Sequence, residues 1–203
     1  MDPCVVGLVG KTATGKGMVA NILEEKLKDR GLSVSRLRFS DSLREFIEEL
    51  RKKGINLAMS KLNLISIAEA GKLAFMPDFL AQSMVRRTKN CHTNFCIWDG
   101  LRWPDEDLLA LRSFPKNMLI AVTAEDSVRH RRFIERNENC YDSATSYNDF
   151  IAMDSMDTEK FIPNIIEKAD LVIPNNEDFS PGSGSTLMGE LYKVAKMLGK
   201  YYL

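Results

Sequence analysis

An apolar run, Cys4–Gly10, leads without a break into Gly10-Lys11-Thr12-Ala13-Thr14-Gly15-Lys16, which fits the pattern G-x-x-x-x-G-K. A stretch with apolar Val19, Ile22, Leu23 and Leu27 at helical spacing follows at once. No other feature restricts the folding of this chain as much. It fixes a buried strand, a glycine-bearing loop and a helix start in that order. The glycines let the backbone curl so that successive N–H groups point into one concavity. The partial positive charge of the helix start adds to it, which makes a cradle for phosphate. Lys11, Thr12, Ala13, Thr14, Gly15, Lys16, Gly17 and Met18 are therefore expected to form a nucleotide-binding loop, with the Lys16 ammonium reaching the β- and γ-phosphates. One position departs from the usual pattern. The Ser or Thr that would follow the lysine and touch Mg²⁺ is Gly17, so water or another oxygen has to take that place.

The rest of the chain alternates between two hydrophobic periods. Short apolar runs at Ser33–Phe39, Phe95–Asp99, Met118–Thr123 and Asp170–Pro174 read as further buried strands. Between them lie helical patterns, such as Leu43, Phe46, Ile47 and Leu50 on one face, and Leu187, Leu191, Val194 and Leu198 on another. The alternation predicts an α/β fold: a three-layer sandwich around a mostly parallel five-stranded sheet, with ligands at the carboxyl ends of the strands. Residues 60–90 hold no strand and read as two helices broken near Pro77. They form the bulk of a flap expected over about 42–90, inserted between the second and third strands. A second, polar insertion at Arg136–Asp157 ends a lid expected over about 129–157. A turn-rich link, Ser180-Pro-Gly-Ser-Gly-Ser, precedes the last helix.

Composition excludes several classes. With 203 residues the chain is expected to be one domain, 1–203, large enough for a core without staples. Lys+Arg and Asp+Glu are both 28, so no nucleic-acid partner held by a basic face is expected. No apolar run approaches ~20 residues, so no membrane partner is expected. Met1 is followed by Asp2 and Pro3 rather than by a secretory leader. Cys4, Cys91, Cys96 and Cys140 form no Cys-x-x-Cys, and Cys91-His92-x-x-x-Cys96 has the wrong spacing for a zinc site. Free thiols and a cytoplasmic location are the expectation. The oligomeric state is open between a monomer and a small homo-oligomer.

Four segments carry a resemblance. Gly10–Gly17 resembles the phosphate loop of adenylate kinases and other nucleoside monophosphate kinases, with Met18 in place of their usual Thr. Ile97-Trp98-Asp99-Gly100-Leu101-Arg102 is similar to the Asp-Gly-x-Arg of the wider group that includes the dephospho-coenzyme-A kinases. Val128-Arg129-His130-Arg131-Arg132 with Arg136 resembles the arginine-bearing lid helix of that group. Asp170–Asn176 resembles its last strand, which ends beside the adenine of ATP. The resemblance implies a P-loop kinase of the nucleotide kinase type, using ATP and Mg²⁺ and transferring the γ-phosphate to a small-molecule acceptor. That acceptor would be a small anionic metabolite, either a nucleoside monophosphate or dephospho-coenzyme A. Asn175 and Asn176 would lie near the nucleotide, and Gly100 beside the acceptor.

The residue chemistry can be read alongside it. Asp99 ends an apolar strand, where its carboxylate can hold the hydration shell of Mg²⁺. Arg102 would turn a forked guanidinium on the acceptor's phosphate or carboxylate. Asp41, after the second strand, could accept a proton from an acceptor hydroxyl, act on Mg²⁺ through water, or cap the helix that follows. Arg44, in the first turn of that helix, is electrostatically out of place there, which favours an anionic partner. Arg129, Arg132 and Arg136 recur at i, i+3 and i+7 on one helix face and are expected to close over the transferring phosphate. Trp98 and Trp103 read as packing residues. Gly17-Met18 leaves a second reading open, a nucleotide-binding module with weak or no turnover. A switch GTPase is disfavoured, because no Asn/Thr-Lys-x-Asp motif occurs.

Overall fold

Every residue of the first apolar run is buried, which is what a strand with neighbours on both sides requires. In the computed structural model, which describes residues 2–136, 144–156, 158–177 and 186–199, this strand is β1, Cys4–Val9. The other strands are β2 (Val34–Arg38), β3 (Phe95–Asp99), β4 (Asn117–Thr123) and β5 (Leu171–Pro174). They pair in the order β2-β3-β1-β4-β5, all parallel. The five-stranded α/β architecture read from the sequence is the one observed, with strand bounds shifted by one residue at most at each end.

The period-2 alternation of each strand divides the core between the two sheet faces. Val6 and Leu8 of β1 join Phe95, Ile97, Ile120 and Val122 on one face. There they pack on α1 (Lys16–Lys28) through Val19, Leu23 and Leu27, and on α9 (Thr186–Gly199) through Leu191, Val194 and Leu198. Val5 and Val9 face the opposite way with Cys96, Trp98, Leu119 and Ala121. That side is covered by α2 (Asp41–Lys52), α3 (Lys61–Ala74), α4 (Phe79–Lys89), α5 (Leu109–Arg112) and α8 (Ile162–Ile166). The two helices expected between 60 and 90 are α3 and α4, and Pro77 lies between them. On α2, Leu43 and Ile47 are buried but Phe46 is 50% exposed, so the buried stripe is narrower than the sequence pattern implied.

After β4 the chain forms α6 (Asp126–Arg136) and later α7 (Tyr147–Ala152). These two pack through Phe133 and Phe150, whose ring centroids are 5.1 Å apart. Residues 137–143 and 157 of the expected lid, Cys140, and the Ser180–Ser185 link lie outside the described residues. No described helix is long and apolar enough to cross a membrane. Trp98 is fully buried, edge-on to Phe39 and Phe114, and its indole N–H donates to Thr88 Oγ1 at 2.7 Å.

Candidate phosphate-binding cleft

The loop from Gly10 to Gly15 is shaped by backbone conformations that few residues adopt. Gly15 has φ 91° and Ala13 has φ 63°, both in the left-handed region. A left-handed residue at 13 and another at 15 curl the chain into a nest of amides facing the start of α1, which begins at Lys16. The Thr14 hydroxyl closes the turn by donating to Lys11 O at 3.0 Å. Lys16 Nζ folds over the loop and donates to Gly10 O at 2.6 Å and Lys11 O at 2.9 Å. The ammonium is thus held against two carbonyls of the loop.

A cleft of about 750 Å³ opens above this loop at the carboxyl edge of the sheet. Thr12, Ala13, Gly15, Lys16 and Gly17 form one wall, and Arg36, Arg38, Arg44, Asp99, Gly100, Arg102, Arg136 and Glu159 are among the facing residues. Six basic and two acidic side chains line it, on a chain whose net charge is zero. That asymmetry focuses positive potential into the cleft and suits an anionic ligand.

The predicted site residues are only partly brought together. Lys16, Gly17, Arg44, Asp99, Gly100, Arg102 and Arg136 line the cleft. Asp41 does not. It is the first residue of α2 rather than its cap, and its Oδ2 accepts from the Arg38 backbone N–H at 2.8 Å, which turns the carboxylate toward the strand end. One oxygen of the carboxylate is thereby tied to the end of β2, and Asp41 is not among the residues that line the cleft. The arginine stripe on α6 also splits. Arg129 is 1% exposed and fully engaged: Nε donates to Thr12 O at 3.0 Å, Nη1 to Asp126 at 2.6 Å, and Nη1 and Nη2 to Asp154 at 3.0 and 2.6 Å. Arg132 donates to Asn175 O at 2.8 Å and Glu177 O at 2.6 Å, beyond the end of β5. Of the three, Arg136 alone lines the cleft, because one helix face spans enough arc and length for its side chains to reach three different neighbours.

Asn175 and Asn176 also serve the loop's surroundings. Asn175 is buried against Gly15, and its Nδ2 donates to Thr14 O at 2.9 Å. Asn176 Oδ1 accepts from Glu125 N–H at 2.8 Å. Trp103 is buried, with Lys72 Nζ 4.3 Å above its ring.

Several residues of the site escaped the sequence reading. Glu159 is 1% exposed and accepts from Thr12 N–H at 3.2 Å, Thr12 Oγ1 at 3.1 Å and Arg102 Nη1 at 2.9 Å. Asp154 takes Lys11 Nζ at 2.9 Å as well as Arg129. Burial pushes the Asp154 carboxyl up, but its Arg129 and Lys11 partners outweigh that and hold it below the ordinary range. Asp107 is wholly buried, and its Oδ2 accepts from the Arg102 and Trp103 backbone N–H groups at 2.7 and 3.1 Å, which fixes the turn that aims Arg102. Burial pushes its carboxyl up to about 7, against the two amides, which favour the charged form. Arg36 and Arg38 share one face of β2 by strand period, a signal visible in Arg36-Leu37-Arg38 had the neighbouring strand been known.

The residues expected to hold Mg²⁺ do not fit it. The Asp99 carboxylate is taken by Arg36 Nη2, with Arg38 Nε 3.7 Å away, Asp41 accepts from the Arg38 N–H outside the cleft lining, and Gly17 adds no hydroxyl beside them.

The chain matches no protein-family model. It is 27% identical over 175 residues to a UPF0200 protein of Methanothermobacter thermautotrophicus, spanning 86% of this chain and 83% of that one. A UPF0200 protein of Pyrococcus horikoshii is 26% identical over 180 residues, 87% of this chain and 90% of the relative. Among solved structures, a shikimate kinase from Bacteroides thetaiotaomicron superimposes with a TM-score of 0.58 at 13% identity, covering 97% of this chain and 98% of that one. The Mycobacterium tuberculosis APS kinase CysC, in complex with AMPPNP and APS, gives 0.53 at 14% identity and 98% of both chains. A shikimate kinase from Acinetobacter baumannii in complex with shikimate gives 0.52 at 12%, covering 99% of this chain and 96% of that one. With the strand–loop–helix unit and the parallel sheet, these likenesses show that the chain has the fold of the P-loop kinases.

Proposed function

We propose that the protein is a small-molecule kinase that moves the γ-phosphate of ATP to a small anionic acceptor. The observation that carries this reading is the cleft itself, with the phosphate loop on one wall and Arg44, Arg102 and Arg136 on the others. Phosphoryl transfer asks a protein mainly for positioning and for neutralised charge, and such a cleft supplies both. In this reading the amides of residues 13–18 and the Lys16 ammonium bind the triphosphate. Arg44, on the flap, and Arg102, on the Asp-Gly turn, hold the acceptor's anionic group. Arg136 bears on the transferring group. Arg129, Arg132 and Asn175 act at one remove, by bracing the loop and the end of β5.

A nucleoside monophosphate is the acceptor favoured over dephospho-coenzyme A. An acceptor phosphate, with its second pKa near ~6, is largely deprotonated at neutral pH and needs no base. A hydroxyl acceptor does need one, and Asp41, the expected base, does not line the cleft. The likeness to a shikimate kinase in complex with shikimate, and to an APS kinase in complex with AMPPNP and APS, supports a nucleotide paired with a separate small acceptor.

One feature favours the second reading, a nucleotide-binding module with little turnover: the Arg36–Asp99 pair beside a residue 17 that has no hydroxyl. A single assay separates the two. ADP release from ATP is followed in Mg²⁺ buffer against nucleoside monophosphates, their deoxy forms and dephospho-coenzyme A, with Lys16→Ala as blank. Release driven by one acceptor and absent from the blank is expected. ATP binding without release above the blank for any acceptor hands the site to the module reading.

A further inference from the structure

Three features meet at the carboxyl ends of β2 and β3. Position 17 carries no side chain, and a Cβ built there would come to 3.5 Å from Arg36 Nη2. That same Nη2 donates to Asp99, while Nη1 donates to Asn21 Oδ1 at 2.6 Å, so the guanidinium is clamped between α1 and β3. Arg36 Nε is buried and has no hydrogen-bond partner among the described residues, at a side chain only 14% exposed.

We infer that Arg36 is the resident cation of the nucleotide site. Its guanidinium fills the meeting point of position 17 and Asp99, where a hydroxyl and a carboxylate would otherwise hold a divalent ion. From there it presents positive charge to the phosphates of a bound nucleoside di- or triphosphate. The inference rests on the nucleotide-binding reading above. A guanidinium stays charged at any working pH and presents several donors in a fixed fork, so it suits that position better than an ammonium. Asp99 in turn orients the fork, and Arg36 cancels a carboxylate that would repel phosphate. A Cβ at 17 would lie in ordinary van der Waals contact with the guanidinium, so the two positions are direct neighbours. Nucleotide affinity at such a site does not depend on a metal held by the protein.

The test is calorimetric binding of AMPPNP, once with Mg²⁺ and once with EDTA, to the wild type, Arg36→Met, Arg36→Lys and the double variant Arg36→Met/Gly17→Ser. The wild type should lose less than about fivefold in affinity on going to EDTA. Arg36→Met, which leaves Asp99 facing the phosphates, should bind about 10- to 100-fold more weakly in EDTA, the loss expected of a charge-assisted contact. Arg36→Lys should recover part of it. Mg²⁺ should rescue the double variant most, since serine and a freed Asp99 then offer oxygen ligands. Thermal melting beside each titration identifies a variant that has not folded, and the wild-type arm needs no variant. A wild-type loss above about fivefold in EDTA overturns the inference and leaves the nucleotide reading standing. Equal binding by Arg36→Met and the wild type in EDTA also overturns it. No AMPPNP binding by the wild type in either buffer sinks both.

Discussion

The two walls of the cleft are held by different kinds of contact. The phosphate loop takes its inner shape from within: Thr14 on Lys11, and Lys16 on Gly10 and Lys11, all within six residues of one another, while Glu159, Arg129 and Asn175 brace it from outside. The facing wall is assembled from afar. Arg102 is held by Glu159, 57 residues on, and Arg36 by Asp99, 63 residues on. A wall made by backbone conformation keeps its shape when one side chain is lost. A wall made of ion pairs can be dismantled pair by pair, and each broken pair leaves a charge behind.

The largest effect should come from the self-made wall, and it should be functional. Lys16→Ala is expected to lower acceptor-driven ADP release by about 10²–10³-fold, the scale of losing one preorganised charge-stabilising donor. Unchanged release would mean that this wall is not the working one. Next comes Arg129→Met, which leaves the part-buried Asp154 with Lys11 alone and takes the brace from Thr12 O. Breaking a buried pair from one side costs about 3 kcal/mol or more, readable as a shift in the urea midpoint. A loss below about 1 kcal/mol would show that the loop's outer brace is held by something else.

Asp107 and Asp154 sharpen the contrast through pH, because their signs are opposite. The folded protein holds the Asp107 proton up to about 7, well above the carboxyl's ordinary value. Between those values the native state binds more protons than the unfolded one, so this group's contribution to stability is lost as pH rises through that window. Asp154, held low, contributes above the ordinary carboxyl value and loses its contribution as pH falls below it. Asp107→Asn keeps an acceptor for the two amides and should flatten the fall between pH 4.5 and 7.5 by about 2 kcal/mol. A slope identical to the wild type's in urea titrations at the two pH values would remove the argument. The smallest effect is reserved for Arg112→Ala, which breaks a bidentate pair with Asp170 at side chains 33% and 40% exposed. Under about 1 kcal/mol is expected, and more would mean that exposed pairs on this protein count as buried ones do.

What the sequence disclosed follows the same division. Strand runs, the flap's two helices and the phosphate loop are encoded in residues a few positions apart, and all were legible. The arginine stripe was legible as a stripe, but not in its destinations. Arg129, Arg132 and Arg136 share a helix face and nothing in their spacing says that one meets Asp154, one meets the end of β5 and one faces the cleft. Glu159 had no signal at all, being one acidic residue in a polar stretch until the fold carries it to Thr12. Asp41 misled because a residue type good at capping sat one position inside the helix. Arg36 was read only as part of a strand, since its meaning depends on β3 lying beside β2, an order that chain position does not give.

β1 is the middle strand of the five, with β3 on one side and β4 on the other, and the phosphate loop springs directly from its end. β2 and β5 are the rims, and they carry Arg36 and lead into Asn175. Fraying begins at rims and reaches the centre only when the whole sheet comes apart. A ligand arriving at this cleft therefore meets an anvil on one side and, on the other, pieces that can yield and settle around it. The same asymmetry leaves the rims as the place where new acceptor preferences could arise without loosening the grip on phosphate.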